Sequence, residues 1–127
     1  MFRVTERWRP ADSDAWLDAA SIIEAIDSRE SRGELTTWLE SDSGRTIGWV
    51  TNRRRVMLMV MNHPGDAGEH AIDPDAPGSS SGFVLENGQS DEYADRDTVA
   101  RQDARRILRS LLTTGQVPPG VPWEVDR

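Results

Sequence analysis

LTTWLESDSGRTIGWVTNRRRVMLMVM, residues 35–61, decides the fold. Leu35 to Glu40 and Thr46 to Thr51 are rich in threonine, tryptophan and branched residues, the composition of strands. Between them Ser41-Asp42-Ser43-Gly44-Arg45 has the composition of a hairpin loop. Asn52 to Arg55 makes the next turn, and Val56 to Met61 is a third strand, apolar on both faces. A strand of that kind belongs in the middle of a sheet, covered on both sides.

The flanking segments supply the helices. Before the meander, Phe2, Val4, Glu6 and Trp8 alternate with Arg3, Thr5 and Arg7 as in a half-buried strand, which Pro10 ends. A helix is expected next, capped by Asp12 or Ser13, with Asp14 in its first turn. Its apolar positions are Trp16, Leu17, Ala20, Ile23 and Ile26, and Gly33 marks its exit. After the meander, His63 to Gly82 is rich in glycine, proline and serine and reads as a long flexible loop. Phe83 to Glu86 reads as a fourth strand of the meander, Asn87-Gly88 as a turn, and Tyr93 as part of a short edge strand.

The last helix is the plainest element. Ala100, Ala104, Ile107, Leu108, Leu111 and Leu112 form one stripe, and Arg101, Arg105, Arg106 and Arg109 mostly face away. Thr98 is the expected cap and Gly115 the stop. The tail from Val117 to Trp123 carries three prolines and cannot continue a helix. It is expected to run back extended over the core, with Trp123 buried as an anchor. The order predicts an α+β fold: an antiparallel sheet of about five strands with two helices packed on one face. Residues 1–127 read as a single domain with a flexible acidic loop at 63–82.

Composition narrows the function. The 127 residues include no cysteine, which excludes a disulfide framework, thiolate zinc and thiol chemistry. No signal peptide is read at the start, and the longest apolar run, Val56 to Met61, is far short of a membrane span of about 20 residues. A cytoplasmic protein without membrane contact is expected. The net charge is −7, and all fifteen basic residues are arginine. A chain so acidic, whose only basic cluster is Arg53-Arg54-Arg55 at a turn, is not expected to bind nucleic acid directly.

The apparent catalytic motifs lack their contexts. Gly78-Ser79-Ser80-Ser81-Gly82 matches G-x-S-x-G, but a nucleophile elbow needs a strand before it and a helix after it. His63 and His70, seven residues apart in a Gly/Pro-rich stretch, are not spaced as a helical zinc pair. Asp73-Pro74-Asp75 lacks the further oxygens and the glycine of a calcium loop. The carboxylates Asp91-Glu92, Asp95 and Asp97 read as a solvated edge. The expectation is no enzyme, no cofactor and no metal.

Charge placement points to a partner instead. From His63 to Asp97 nine acids meet one arginine, so this segment carries −8 and the remainder +1. A surface of one sign steers a partner of the other. Candidate contact residues are therefore Asp66, Glu69, Asp73, Asp75, Glu86, Asp91 and Glu92. Trp38 and Trp49, on neighbouring strands, join them because tryptophan is enriched at binding hot spots. Met57, Met59 and Met61 read first as core filling under a helix and second as an adaptable binding face.

The C-terminal stretch carries a resemblance. The amphipathic helix with Ala100, Ala104 and Leu108, followed by Gly115-x-x-Pro118-x-x-Val121-x-Trp123, resembles the end of the first numbered immunity-protein family of bacterial polymorphic-toxin systems. The resemblance implies a small α+β protein that binds and neutralises a secreted toxin, typically a nucleic-acid deaminase, inside the producing cell. It implies structural roles for Gly115, Pro118, Val121 and Trp123: a helix stop, a rigid turn and a core anchor. A basic toxin surface is the expected partner; the oligomeric state is left open. The competing readings are a cytoplasmic chaperone or adaptor for a secreted protein and, further off, a small enzyme. The neighbouring genes discriminate between them.

Overall fold

The computed structural model describes residues 6–127, so the alternating segment from Phe2 to Thr5 lies outside the described residues. Its continuation, Trp8–Pro10, is β1, and Pro10 is the last residue of the strand. β1 pairs antiparallel with β2, Thr36–Ser41, at the sheet edge. The helix α1 spans Ala19–Ser31, later than expected. Asp18 is its cap, with Oδ1 accepting the N–H of Ser21 at 2.7 Å. Trp16 and Leu17 therefore precede the helix, and Leu17 bridges back to Trp8.

β2, β3 (Thr46–Thr51) and β4 (Arg55–Met61) form the meander read from the sequence. β4 is internal. Along one side it pairs with β3; along the other, its end pairs with β5 (Glu69–Ala71) and its start with β8 (Val99–Ala100). The tail returns as β9, Trp123–Val125, which pairs with β5. The sheet thus has seven strands, ordered β1-β2-β3-β4-β5-β9 with β8 also on β4, more than the five expected. The additional strands come from β5, β8 and β9, all too short to show a period of their own.

α2 spans Arg101–Thr114. Ala100 is its cap and makes no side-chain capping bond; the hydroxyl of Thr98, the expected cap, instead receives Arg55 Nε. Gly115 closes the helix in the left-handed region at φ 78°, its N–H donating to the carbonyl of Leu111. Both helices pack against one face of the sheet, where Ile22, Ile23, Ile26, Ile107, Leu108 and Leu111 meet Leu39, Ile47, Trp49, Leu58 and Val60 in one core.

His63–Gly82 is not one long loop, because it contributes β5 and begins β6 (Ser79–Val84). Phe83 is not in a fourth strand of the meander either. β6 pairs with β7 (Ser90–Ala94), which carries Tyr93, as a separate two-stranded sheet. This hairpin lies against β3. Thr36 Oγ1 donates to the carbonyl of Val84 at 2.7 Å, and Asn52 Nδ2 to that of Ser81 at 3.1 Å. Phe83 and Val50 are buried here, apart from the main core, with Tyr93 edge-on to Phe83 at 4.8 Å. The hairpin therefore covers part of the sheet face opposite the helices.

Candidate functional site

The rest of that face is a row across five strands. Trp38 pairs with Gly48, Gly48 with Met59, Met59 with His70, and His70 with Glu124. Directly paired residues point to the same side of a sheet, so this row lies opposite the core row of Leu39, Ile47 and Val60. The Trp38 ring closes over Gly48, where a Cβ would come within 2.7 Å of it. Its Nε1 donates to Glu86 at 2.6 Å, which fixes the ring's outer edge to the hairpin. Met57, Met59 and Met61 share this side and are half-buried. They do not fill the core under a helix; Val56, Leu58 and Val60, which alternate with them, do.

The two candidate tryptophans part company. Trp49 pairs with Thr37 and Leu58, faces the helices and is 1% exposed. Its Nε1 donates to the buried carboxylate of Glu30 at 2.9 Å. Trp38 alone presents an aromatic surface to solvent on the open face.

The acids of the His63–Asp97 segment also divide. Asp66 forms a bidentate pair with Arg127 at 2.7 and 2.8 Å and accepts the backbone N–H of Asn62. Arg127 and the Asn62 N–H hold its carboxyl far below the usual carboxylate range. Glu69 receives Arg127 at 2.6 Å and Trp123 Nε1 at 2.8 Å. Asp73 pairs with Arg55 at 2.9 Å. Arg55 also donates to the carbonyls of Asp95 and Thr98, so it ties β4 to the segment before α2. Arg53 and Arg54 remain exposed at the turn. Among the described residues, Asp75, Glu86, Asp91 and Glu92 have no ion-pair partner, and all but Asp91 are exposed. Asp91 accepts the Tyr93 hydroxyl at 3.1 Å; burial first, and this carboxylate second, push the Tyr93 pKa up to about 12.

The residues of the motifs set aside above lie in different elements. Ser80 lies in β6 and donates to Asp95. His63 is exposed in the β4–β5 turn, whereas His70 is buried in β5. Around His70 three distant carboxylates converge. Nδ1 stands 2.8 Å from Asp126 Oδ2, and Nε2 stands 3.1 Å from Asp97 Oδ1 and 3.6 Å from Glu124 Oε2. Burial pulls the imidazole pKa down, but the hydrogen bonds with Asp97 and Asp126 outweigh it and hold it above its ordinary value. Arg96 bridges the same two carboxylates, Nη1 to Asp97 at 3.1 Å and Nη2 to Glu124 at 3.5 Å. No sequence signal joins His70 to Glu124, 54 residues on; only the β5–β9 pairing does.

The family model described as immunity protein Imm1 matches residues 4–125. The chain belongs to this immunity-protein family. No curated protein and no solved structure matches it. Among the described residues no helix is long and apolar enough to cross a membrane.

In this Imm1 protein the tail residues carried by the resemblance occupy structural places. Gly115 stops α2, and Pro118 accepts the N–H of Val121 in a turn. Val121 and Trp123 are partly buried against the core, and Trp123 begins β9. Trp123, expected to be buried, is only partly so and lies on a strand added to the sheet edge, with its indole N–H on Glu69. The family match extends through β9, so the added strand belongs to the matched unit.

Proposed function

We propose that this Imm1 protein neutralises a cognate secreted toxin, a nucleic-acid deaminase, by stoichiometric binding in the cytoplasm of the producing cell. Family membership supports the immunity role. The observation that carries the binding mode is the open row of Trp38, Gly48 and Met59, with Glu86 on the Trp38 indole and two further acids without an ion-pair partner, Asp91 and Glu92, on the hairpin packed against β3. Thioether and indole groups supply adaptable apolar contact at the centre. Carboxylates at the rim select a basic partner. A deaminase toxin suits that description, because it must hold a polyanion in a basic groove. The protein itself then needs no turnover, cofactor or nucleic-acid contact. Asp75 is exposed without an ion pair, whereas Asp66, Glu69 and Asp73 act through the fold that their arginine partners hold.

Co-expression with a toxin candidate from a neighbouring gene tests this. The expected result is restored growth and a 1:1 complex on gel filtration, with deamination blocked in the purified mixture. A complex that forms only with unfolded or export-bound toxin, leaving the folded enzyme active, would make the protein a chaperone. Absence of both rescue and complex would refute the immunity reading.

A further inference from the structure

We propose that His70, Asp97 and Glu124 form a binding site for one zinc ion, or a divalent ion of similar preference, on the protein. The inference is independent of the toxin reading.

The argument begins with lone pairs. A neutral His70 that donates from Nδ1 to Asp126 leaves Nε2 as an acceptor, aimed at the oxygens of Asp97 and Glu124. Three acceptors then converge, and a cation between them satisfies all three at once; without one, Arg96 and a second ring proton serve the carboxylates. A second proton on the ring satisfies one carboxylate at a time, whereas a divalent ion is bound by all three atoms at once.

The two distances from Nε2 suit such an ion. Ligands at about 2.0–2.1 Å from a tetrahedral zinc stand about 3.3 Å from one another. Nε2 lies 3.1 Å from Asp97 Oδ1 and 3.6 Å from Glu124 Oε2, and all three atoms lie within 4.8 Å of one another. One nitrogen and two carboxylate oxygens form a donor set zinc accepts. The Asp126–His70 contact has the form that orients metal-bound histidines: a carboxylate on the far ring nitrogen fixes the tautomer and strengthens the donor. His70 is also held rigidly, its side chain 10% exposed inside β5, between β4 and β9. The two carboxylates are partly exposed, so ions can reach the site from solvent and a fourth ligand position is open.

Arg96 is the competitor. Its guanidinium holds the same Asp97 oxygen and the other oxygen of Glu124. It is 43% exposed and can swing outward when an ion enters. Its removal should therefore strengthen metal binding, a result that a purely structural ion-pair cluster does not give.

The test is calorimetric titration of zinc into the full chain after dialysis against chelator. The expected result is one saturable site at 1:1 stoichiometry, with a rise in Tm on binding. Glu124→Gln and Asp97→Asn should each weaken affinity by about tenfold or more, and Asp126→Asn should weaken it less. Arg96→Gln should tighten it, and His63→Gln should leave it unchanged. In nitrogen NMR, zinc should displace any proton from Nε2 while Nδ1 keeps its own. If His70→Gln fails to fold, the variant at the partly exposed carboxylate, Glu124→Gln, still decides the matter. No saturable zinc binding, binding lost with His63→Gln, or affinity unaltered by both Glu124→Gln and Asp97→Asn would overturn the proposal.

Discussion

The indole of Trp38 occupies the space that a side chain on Gly48 would need. A Cβ at Gly48 would stand 2.7 Å from Trp38 Cζ3 and 2.9 Å from Met59 Cγ. The glycine leaves room for the aromatic ring and for the Met59 side chain of the next strand on the open sheet face. Gly48→Ala should lift the ring and cost about 1–3 kcal/mol, the usual range for overpacking. Trp38→Ala should fold, since the ring is partly exposed, but should weaken the proposed toxin contact. Urea denaturation of both variants, together with toxin affinity for Trp38→Ala, checks this. A Gly48→Ala protein as stable as wild type would show that the ring is not held there.

Glu30 links the two helices to the sheet. Its side chain is 7% exposed, receiving Trp49 Nε1 at 2.9 Å through one oxygen and Arg101 Nε at 2.9 Å through the other. Glu30→Ala leaves the buried indole N–H without an acceptor, and should cost about 1–3 kcal/mol. Glu30→Gln keeps an acceptor for Trp49 and should cost less. Arg101 and Arg105 retain Asp27 in either case. Equal losses for the two variants would assign the effect to charge alone.

What was legible in the sequence follows from range. The hairpin loops and the stripe of α2 rest on neighbours in the chain, and they stand where the pattern put them. Asp18, by contrast, caps α1 in place of Asp12 or Ser13, because a turn bridging Leu17 to Trp8 delays the helix. β5, β8 and β9 span three, two and three residues, and exist only through their partners. The alternation in β4 did show two apolar faces. It did not show that the methionine face would lie away from the helices. The same limit separated Trp38 from Trp49: adjacent strands carry both, but register pairs Trp38 with Gly48 and turns Trp49 inward. The excess acidity of residues 63–97 was plain, yet its division into paired and free carboxylates depends on Arg55 and on Arg127, 61 residues from Asp66.

His70 predicts a pH dependence. Its pKa is raised in the folded protein by Asp97 and Asp126 against the opposing effect of burial. A raised value means that the charged form stabilises the fold. That contribution is complete below the unfolded pKa of about 6.5 and is lost as pH rises through the higher folded value. In chelator, the urea midpoint of the wild type should therefore fall from pH 6 to pH 8.5 relative to that of His70→Gln. Parallel curves for the two proteins would remove the imidazolium from the account.

Asp66 predicts the opposite limb. Arg127 and the Asn62 N–H depress its pKa. Its contribution is present above the unfolded value of about 3.9 and is lost as pH falls through the folded one. Arg127→Ala should thus lower Tm at pH 7 and narrow the gap to wild type as the solution is acidified below pH 4. Asp66→Arg should destabilise the fold, since its carboxylate is 4% exposed and already occupied. Asp75→Arg, on an exposed carboxylate without an ion pair, should not.

The free acids predict how association responds to salt. If Glu86, Asp91 and Glu92 border the toxin contact, they attract its basic surface over a screening length of about 8 Å at physiological ionic strength. Reversal of Glu92 and Asp75 to arginine should slow association with the cognate toxin and flatten its dependence on salt, with little change in the dissociation rate. Glu86 should behave differently, because it also holds the Trp38 indole at 2.6 Å. Glu86→Gln keeps an acceptor for the indole and should affect association alone. Glu86→Ala frees the ring and should speed dissociation as well. Stopped-flow rates at low and high salt separate the two effects. Association that is flat with salt in the wild type and unchanged by the reversals would confine the contact to the Trp38 and methionine surface.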